Sequence, residues 1–507
     1  MIAKSALASF LHQTGGDLTV LKALSDESLD AVLAGMTPRP SFVTRCYKHQ
    51  KVGFIASAAS SSLLFYDPGT GKTKIALDVI RYHIQQVKST RRALVLVPNL
   101  VNVEEWRRQM AQHAPDLSGV YLDDSCGDRR AAMASRSDVV VMTYAGLVRL
   151  VSTSVTATKG KKAKKLVLDR DAAEDMLEQF GVVVFDESTA LMNWQSLTFK
   201  VCSVFLRTAK IRIAMTGTPV GRDMQALWSQ FYAVDGGRSL GGSIGLFRDA
   251  FFTKKKCFWG GYDYSFMPKR MSLLQQKMAN SAVKYSITEC LDLPEKVYCV
   301  SPVVFSEEQR AYYDAELARI RGADSAEAIQ NSFMALCQLA AGFIKTEDGI
   351  VDLSPNRKIE ALLDLLATIP EDEKVVIYCH FIHSGDLLAK ALSPIGKVSR
   401  LYSGTKDRGA ELRRFVDDPK CRFLVANVQA AAMGLNLQFC KYMVFYESPS
   451  SPILREQAER RIWRNGQERA TVFFDLVIKG SIEEKLIGYL REGRDLLAAL
   501  MSREDSV

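Results

Sequence analysis

Residues 67–74 read D-P-G-T-G-K-T-K, after an apolar run S-L-L-F-Y and before the helical pattern I-A-L-D-V-I. Gly69 and Gly71, with Thr70 between them, let the backbone curl so that its N–H groups converge on an anion. The helix that follows adds the positive end of its dipole. Lys72 is then placed to reach the outer phosphates of a nucleoside triphosphate, and Thr73 to hold Mg²⁺. The common form of this loop has glycine where this chain has Tyr66. A second constellation is V-V-V-F-D-E-S at 182–188, an apolar run ending in two carboxylates. Asp186 suits Mg²⁺ held through water, and Glu187 suits orienting and deprotonating an attacking water. Either motif alone also fits an ordinary turn; together they are expected to make one nucleotide site. A third is Q-A-E-R-R-I-W-R-N-G-Q at 457–467, where Arg461 and Arg464, three apart on an expected helix, share a face. A guanidinium facing the γ-phosphate is worth about 10³ to 10⁵ in rate. The alternative is a basic, solvated helix face.

Bringing such groups together requires strand ends on a common edge. From residue 61 onward, short runs of Val, Leu and Ile alternate with longer amphipathic stretches, the pattern of parallel strands buried between helices. Runs at 62–65, 93–97, 138–142, 182–185 and 211–215 form one series; 374–378, 398–402, 423–426, 442–446 and 471–477 form another. The expected fold class is α/β, with two tandem parallel-sheet lobes and helical insertions. The expected order is an N-terminal helical cap over 1–40, a first lobe over 41–235, an inserted helical, aromatic and basic module over 236–292, a helical protrusion leading to the second lobe over 293–360, and the second lobe over 361–507. Gly236, Gly237, Gly241, Gly242, Gly260 and Gly261 mark the insert, and K-G-K-K-A-K-K at 159–165 reads as an exposed loop.

With 507 residues, 47% hydrophobic and 24% charged, the chain is long enough for about three domains and matches neither disordered nor fibrous composition. The net charge of +9 is compatible with a polyanionic partner without requiring one. Ten cysteines contain no C-x-x-C pair, so zinc ribbons and thioredoxin-like redox chemistry are not expected, and the thiols read as buried small hydrophobes. Of six histidines only His380 and His383 lie close together, which is a weak metal signal. No run has the length of a membrane span and the first residues lack a signal-peptide pattern, so a cytoplasmic location without a membrane partner is expected.

Taken in order, these segments resemble the Swi/Snf-type (Snf2-like) ATPases of helicase superfamily two, over about residues 47–486. Y-K-H-Q-K-V-G at 47–53 resembles the upstream glutamine motif, implying that Gln50 reads adenine. The segments at 93–106, 140–147 and 215–219 (M-T-G-T-P) resemble motifs Ia, Ib and III. D-L-P-E-K at 292–296, V-V-I-Y-C-H-F at 375–381, A-A-A-M-G-L-N-L at 430–437 and the arginine segment at 457–467 resemble the second-lobe succession ending in motifs IV, V and VI. The resemblance implies RecA-like lobes with ATP and Mg²⁺ as cofactors. It places Gly434 and Gln457 at the nucleotide, and Arg461 and Arg464 as the arginines used against ATP. Departures are Ala431 and Ala432 where glycines are usual, Trp463 where histidine is common, Lys284 and Tyr285 where arginines often precede the D-L-P-x-K segment, and D-E-S-T in place of D-E-x-H. The compact pattern resembles phage or bacterial members, placing the chain in a bacterial or phage-infected cell.

The family reading makes DNA the partner, with double-stranded DNA favoured and strand-separating or RNA-directed activity left open. Candidate phosphate contacts are Asn99, Thr143, Thr216 and Asn436, each of which also fits a local turn. Lys254 and Lys255 lie among aromatics at 247–270 that either stack on bases or form a small core with lysines at its rim. The rival from another class is a nucleic-acid clamp that has lost hydrolysis. Intact Lys72, Asp186, Glu187, Arg461 and Arg464 argue against it.

Overall fold

The computed structural model describes residues 16–88, 92–122, 129–156, 164–220, 223–256, 261–290, 293–321, 325–346, 349–427, 435–464, 466–494 and 496. The chain divides into two units, Met1–Leu291 and Asp292–Val507. The strands of the first are β1 (Ser62–Tyr66), β2 (Ala93–Val97), β3 (Gly119–Leu122), β4 (Val139–Thr143), β5 (Ser152–Thr156), β6 (Lys164–Leu168), β7 (Val182–Asp186), β8 (Ile211–Met215), β9 (Phe252–Lys256), β10 (Tyr262–Phe266) and β11 (Ala282–Tyr285). Seven of them make one parallel sheet in the order β11-β1-β8-β7-β2-β4-β3. Side chains alternate across a strand, so each strand feeds two cores. Val95 and Val97 join one cluster with Val182, Val184 and Ile213, whereas Leu94 and Leu96 join the opposite one with Val183, Phe185 and Ala214. That double burial is why these runs are apolar throughout.

Two short N-terminal helices, Val20–Ala23 and Asp26–Ala34, bury Leu21, Leu29 and Leu33 in the first of these cores. Residues 236–292, expected as an inserted helical, aromatic and basic module, pack into the first unit where they are described. Phe247, Phe251, Phe252 and Leu274 are buried in the second core, and β11 pairs with β1 as the edge of the sheet. The segment is thus continuous with the first unit, and between its helices it carries the β9–β10 hairpin. Of the run 159–165, Lys164 and Lys165 belong to β6, which pairs with β5; 159–163 lie outside the described residues.

The second unit contains β12 (Lys296–Val303), β13 (Phe343–Thr346), β14 (Gly349–Asp352), β15 (Val375–Cys379), β16 (Lys397–Leu401), β17 (Cys421–Asn427), β18 (Tyr442–Phe445) and β19 (Thr471–Ile478). Its six-stranded sheet is also parallel, ordered β12-β19-β18-β15-β17-β16. The stretch 293–360 is only partly helical. It opens with β12, an edge strand of this sheet, and closes with the β13–β14 hairpin. Between them the helices Glu307–Arg321 and Ala326–Ala341 bury Tyr313, Ile320, Phe333 and Leu336.

Among the described residues no helix is long and apolar enough to cross a membrane, and no three His, Cys, Asp or Glu side chains converge as metal ligands. The described cysteines are free thiols, most of them buried. His380 is half-buried, while the His383 ring bonds Asp352 at 2.5 Å, so the two histidines serve separate surroundings.

Candidate active site

The phosphate loop leaves the buried strand β1 and ends on the helix Lys72–Arg81. Gly71 is the residue before that helix and has φ +83°, a left-handed conformation that favours glycine. A Cβ there would also lie 2.4 Å from Gln50 Nε2, so a side chain would displace the Gln50 amide. Gln50 itself donates from Nε2 to the Thr70 carbonyl at 3.2 Å, and the same carbonyl accepts from His49 Nε2 at 2.8 Å. Burial pulls the His49 pKa down, which keeps the ring neutral. The Thr70 hydroxyl donates to Asp67 O at 2.8 Å, and Asp67 Oδ2 accepts from Ile287 N at 2.8 Å. The loop is therefore held from both sides, by the helix Lys48–Ala59 and by the residues just beyond β11.

Lys72 Nζ donates to the carbonyls of Tyr66 at 2.7 Å and Asp67 at 3.2 Å, so the loop's own oxygens hold the ammonium at its mouth. Thr73, half-buried, is the second residue of the helix. Tyr66, in place of the usual glycine, is still a strand residue. Its ring is buried 5.1 Å from Tyr285, and its hydroxyl donates to His49 O at 3.0 Å. The extra side chain faces the core and stays out of the loop.

Asp186 ends β7. Its Oδ2 accepts from Trp106 Nε1 at 2.8 Å, its Oδ1 from the Glu187 N–H at 3.1 Å, and its carbonyl from the Tyr144 hydroxyl at 2.9 Å. Glu187 has φ +47°, a strained conformation for a non-glycine residue that costs about 1–2 kcal/mol. Glu187 Oε2 accepts from the Thr216 hydroxyl at 3.3 Å. Thr216, a candidate phosphate contact, is fully buried behind the carboxylates. The physical reason is that β8 lies directly beside β7, pairing Asp186 with Met215. Gly217 then packs on the phosphate loop, where a Cβ would meet Pro68 Cδ at 2.6 Å. Ser188 donates to Gln230 Oε1 at 2.8 Å and Gln230 Nε2 donates to Pro219 O at 2.7 Å, tying the two strand ends together. His49, Trp106 and Gln230 were not legible as site residues, because their partners lie far away in sequence.

Burial first, and the charge of Glu187 second, push the Asp186 carboxyl from 3.8 up to about 6; Lys72 pulls the other way. A carboxyl whose folded pKa is raised contributes stability below its unfolded value, and that contribution is lost as pH rises through about 6. An asparagine side chain at this position would have no such titration. The unfolding free energy of Asp186→Asn minus that of the natural chain should therefore rise by about 2–3 kcal/mol between about pH 4 and pH 7. Urea unfolding at both pH values measures it, and a difference that does not move with pH would remove the burial account.

In the second unit the helix Pro452–Glu459 ends before the arginines, contrary to the shared helical face expected of them. Arg461 N bonds Ala458 O at 3.1 Å, Ile462 N bonds Glu459 O at 3.2 Å and Gln467 N bonds Arg464 O at 3.0 Å, a run of tight turns. Contacts of Glu459 and Trp463 fix the change of direction. Glu459 accepts from Lys296 Nζ at 2.8 Å, Tyr298 OH at 2.7 Å and Arg455 Nε at 2.8 Å, and Trp463 Nε1 donates to Pro294 O at 2.7 Å. Arg461 is buried, with its carbonyl accepting from Leu437 N at 3.0 Å. Arg464 Nη1 donates to Leu435 O at 3.3 Å and to Asn436 Oδ1. Asn436, a candidate phosphate contact, thus serves the arginine. Gln457 sits half-buried on the helix, and Gly434, Ala431 and Ala432 lie outside the described residues.

Asn99 and Thr143 act as helix N-caps, accepting from Asn102 N at 3.1 Å and Gly146 N at 3.0 Å. Both cap helices leave the strand ends of the first sheet, after β2 and β4. Lys254 and Lys255 are exposed on β9. Of the neighbouring aromatics, Phe247, Phe251 and Phe252 form core and Tyr262 is exposed, while Phe258 and Trp259 lie outside the described residues.

Residues 41–343 match the family described as the SNF2-related domain, and residues 357–466 match the helicase conserved C-terminal domain. The chain is 24% identical, over 92% of its length, to YwqA of Bacillus subtilis (strain 168), which carries an ATP-dependent helicase/translocase name. It spans 50% of that relative's length. It is also 24% identical to the p41 protein of Acyrthosiphon pisum secondary endosymbiont phage 1, covering 92% of this chain and 100% of p41. Among solved structures it is similar to the Sulfolobus solfataricus SWI2/SNF2 ATPase core in complex with dsDNA, at 22% identity and a TM-score of 0.41, over 92% of this chain and 94% of that one.

Proposed function

The chain belongs to the SNF2-related family, and from that premise we propose that it is an ATP-driven motor acting on DNA, with the double-stranded form as its favoured track. The observation that carries the reading is that one parallel sheet holds both the glycine turn leading from β1 into the helix Lys72–Arg81 and the strand β7 that ends in Asp186 beside Glu187. In this reading the N–H groups of 69–73 and the Lys72 ammonium hold the triphosphate, releasing the Tyr66 and Asp67 carbonyls that Lys72 now occupies. Gln50 supports the loop and meets the adenine.

Thr73 and Asp186 fit Mg²⁺ as hard oxygen donors at the loop mouth, the kind of small protein ligand set that leaves most positions to phosphate and water. Once bound, Mg²⁺ neutralises charge on the outer phosphates. Trp106 fixes the rotamer of Asp186, and Glu187, steadied by Thr216, takes the proton of the attacking water. Arg461 and Arg464 are assigned to the charge that develops on the γ-phosphate.

The test is the ATPase rate with no polymer, single-stranded DNA, duplex DNA and RNA. The rate should rise most with duplex. Equal rates in all four would remove the motor, and stimulation by RNA alone would move the track.

A further inference from the structure

We propose that the β9–β10 ribbon is an accessory grip on the phosphodiester backbone of nucleic acid. This rests on the DNA-motor reading and adds a contact on the first unit apart from the nucleotide site. The strands pair antiparallel with Lys254 opposite Tyr264 and Lys256 opposite Tyr262, so these four side chains share one face. Lys255, opposite Asp263, lies on the other. The base of the ribbon is fixed: Phe252 is buried 5.5 Å from Phe247 and 5.6 Å from Phe266, and the Arg248 guanidinium lies 4.2 Å over the Tyr264 ring. Beyond Phe252 every residue of β9 is exposed.

Charge on this projection is one-sided. Against three consecutive lysines the paired strands carry one acid, Asp263, which lies opposite Lys255 and whose Oδ1 already accepts from Tyr264 N at 3.0 Å. Among the described residues, Lys254, Lys255 and Lys256 make no ion pair. Lysine is depleted in strands, so a run of three calls for a cause. One cause is protection of the ribbon's edges against pairing with other chains, which any charge provides. The geometry adds a second. Lys254 Nζ sits 3.7 Å from the centroid of Tyr262, which pins the ammonium and covers the ring face on which a base would stack. What remains on offer is positive charge, and that suits phosphate contact without sequence preference.

Charge reversal separates the two causes, because glutamate guards an edge as well as lysine does. The variant Lys254→Glu/Lys256→Glu should melt at the same temperature as the natural chain. It should bind a short duplex about tenfold more weakly, with the slope of log affinity against log salt reduced by about 1.8, close to 0.9 for each lost phosphate contact. Lys254→Arg/Lys256→Arg should restore both. Parallel titrations with single-stranded DNA and RNA identify the backbone: a loss common to all supports the shared phosphate chemistry, and a loss confined to one names the polymer gripped. Unchanged affinity and slope, with a natural chain whose ATPase is still stimulated by duplex, would overturn the ribbon alone. A natural chain that neither binds nor responds to any polymer would overturn the motor reading and the ribbon with it.

Discussion

Lys72→Ala is expected to reduce ATP turnover by at least about 100-fold, to the floor of the assay, while the chain still folds. The ammonium contributes in two ways. In the proposed mechanism it supplies the positive charge that follows the outer phosphates, and in the structure it lowers the pKa of Asp186, which burial and Glu187 have raised to about 6. Removing it withdraws a phosphate ligand and also makes Asp186 a weaker anion near neutral pH. The fold loses less. Two hydrogen bonds to the carbonyls of Tyr66 and Asp67 disappear, and because the Tyr66 carbonyl is buried its loss of a partner costs roughly 1–3 kcal/mol, which the core of the first unit can absorb. The measurement is steady-state ATPase beside a thermal melt. Normal turnover in a folded variant would remove the phosphate-loop assignment.

Arg464→Ala is expected to keep ATP affinity within a few-fold and to lose about 10³-fold or more in hydrolysis. A guanidinium that meets the γ-phosphate acts mainly on charge developed during transfer, so binding and rate separate. Arg464 is held at the turn following the helix Pro452–Glu459 by Leu435 O and Asn436 Oδ1. That attachment gives the alternative outcome its meaning. If Arg464 only braces the 435–437 segment, alanine would weaken ATP binding and melting temperature together. Single-turnover hydrolysis compared with nucleotide affinity decides between them.

The two parallel sheets, the glycine turn at 69–71 and the carboxylates at the end of β7 were legible because each is written in local pattern. Strands such as 93–97 and 182–186 are apolar on both faces since both faces are covered, and that continuous run survives in any reading of the chain. Gly71 was legible because the left-handed turn before the helix Lys72–Arg81 favours glycine. The hairpin at 252–266 was harder. Its lysines mask the two-residue alternation, and its inward aromatics look like a helical core until the pairing of Lys254 with Tyr264 is seen.

The arginine segment shows the limit from another side. Spacing alone continues the helix through 461–464, yet Glu459 is drawn to Lys296, Tyr298 and Arg455, and Trp463 to Pro294, and the chain turns there. By itself, the amino-acid order determined which residues carry charge, where strands end and where glycine lets a loop curl, because those properties depend on near neighbours. Tertiary structure alone decided that Thr216 backs Glu187, that Trp106 orients Asp186 and that His49 holds Thr70, because sheet order brings together groups whose separation along the chain leaves no periodic trace.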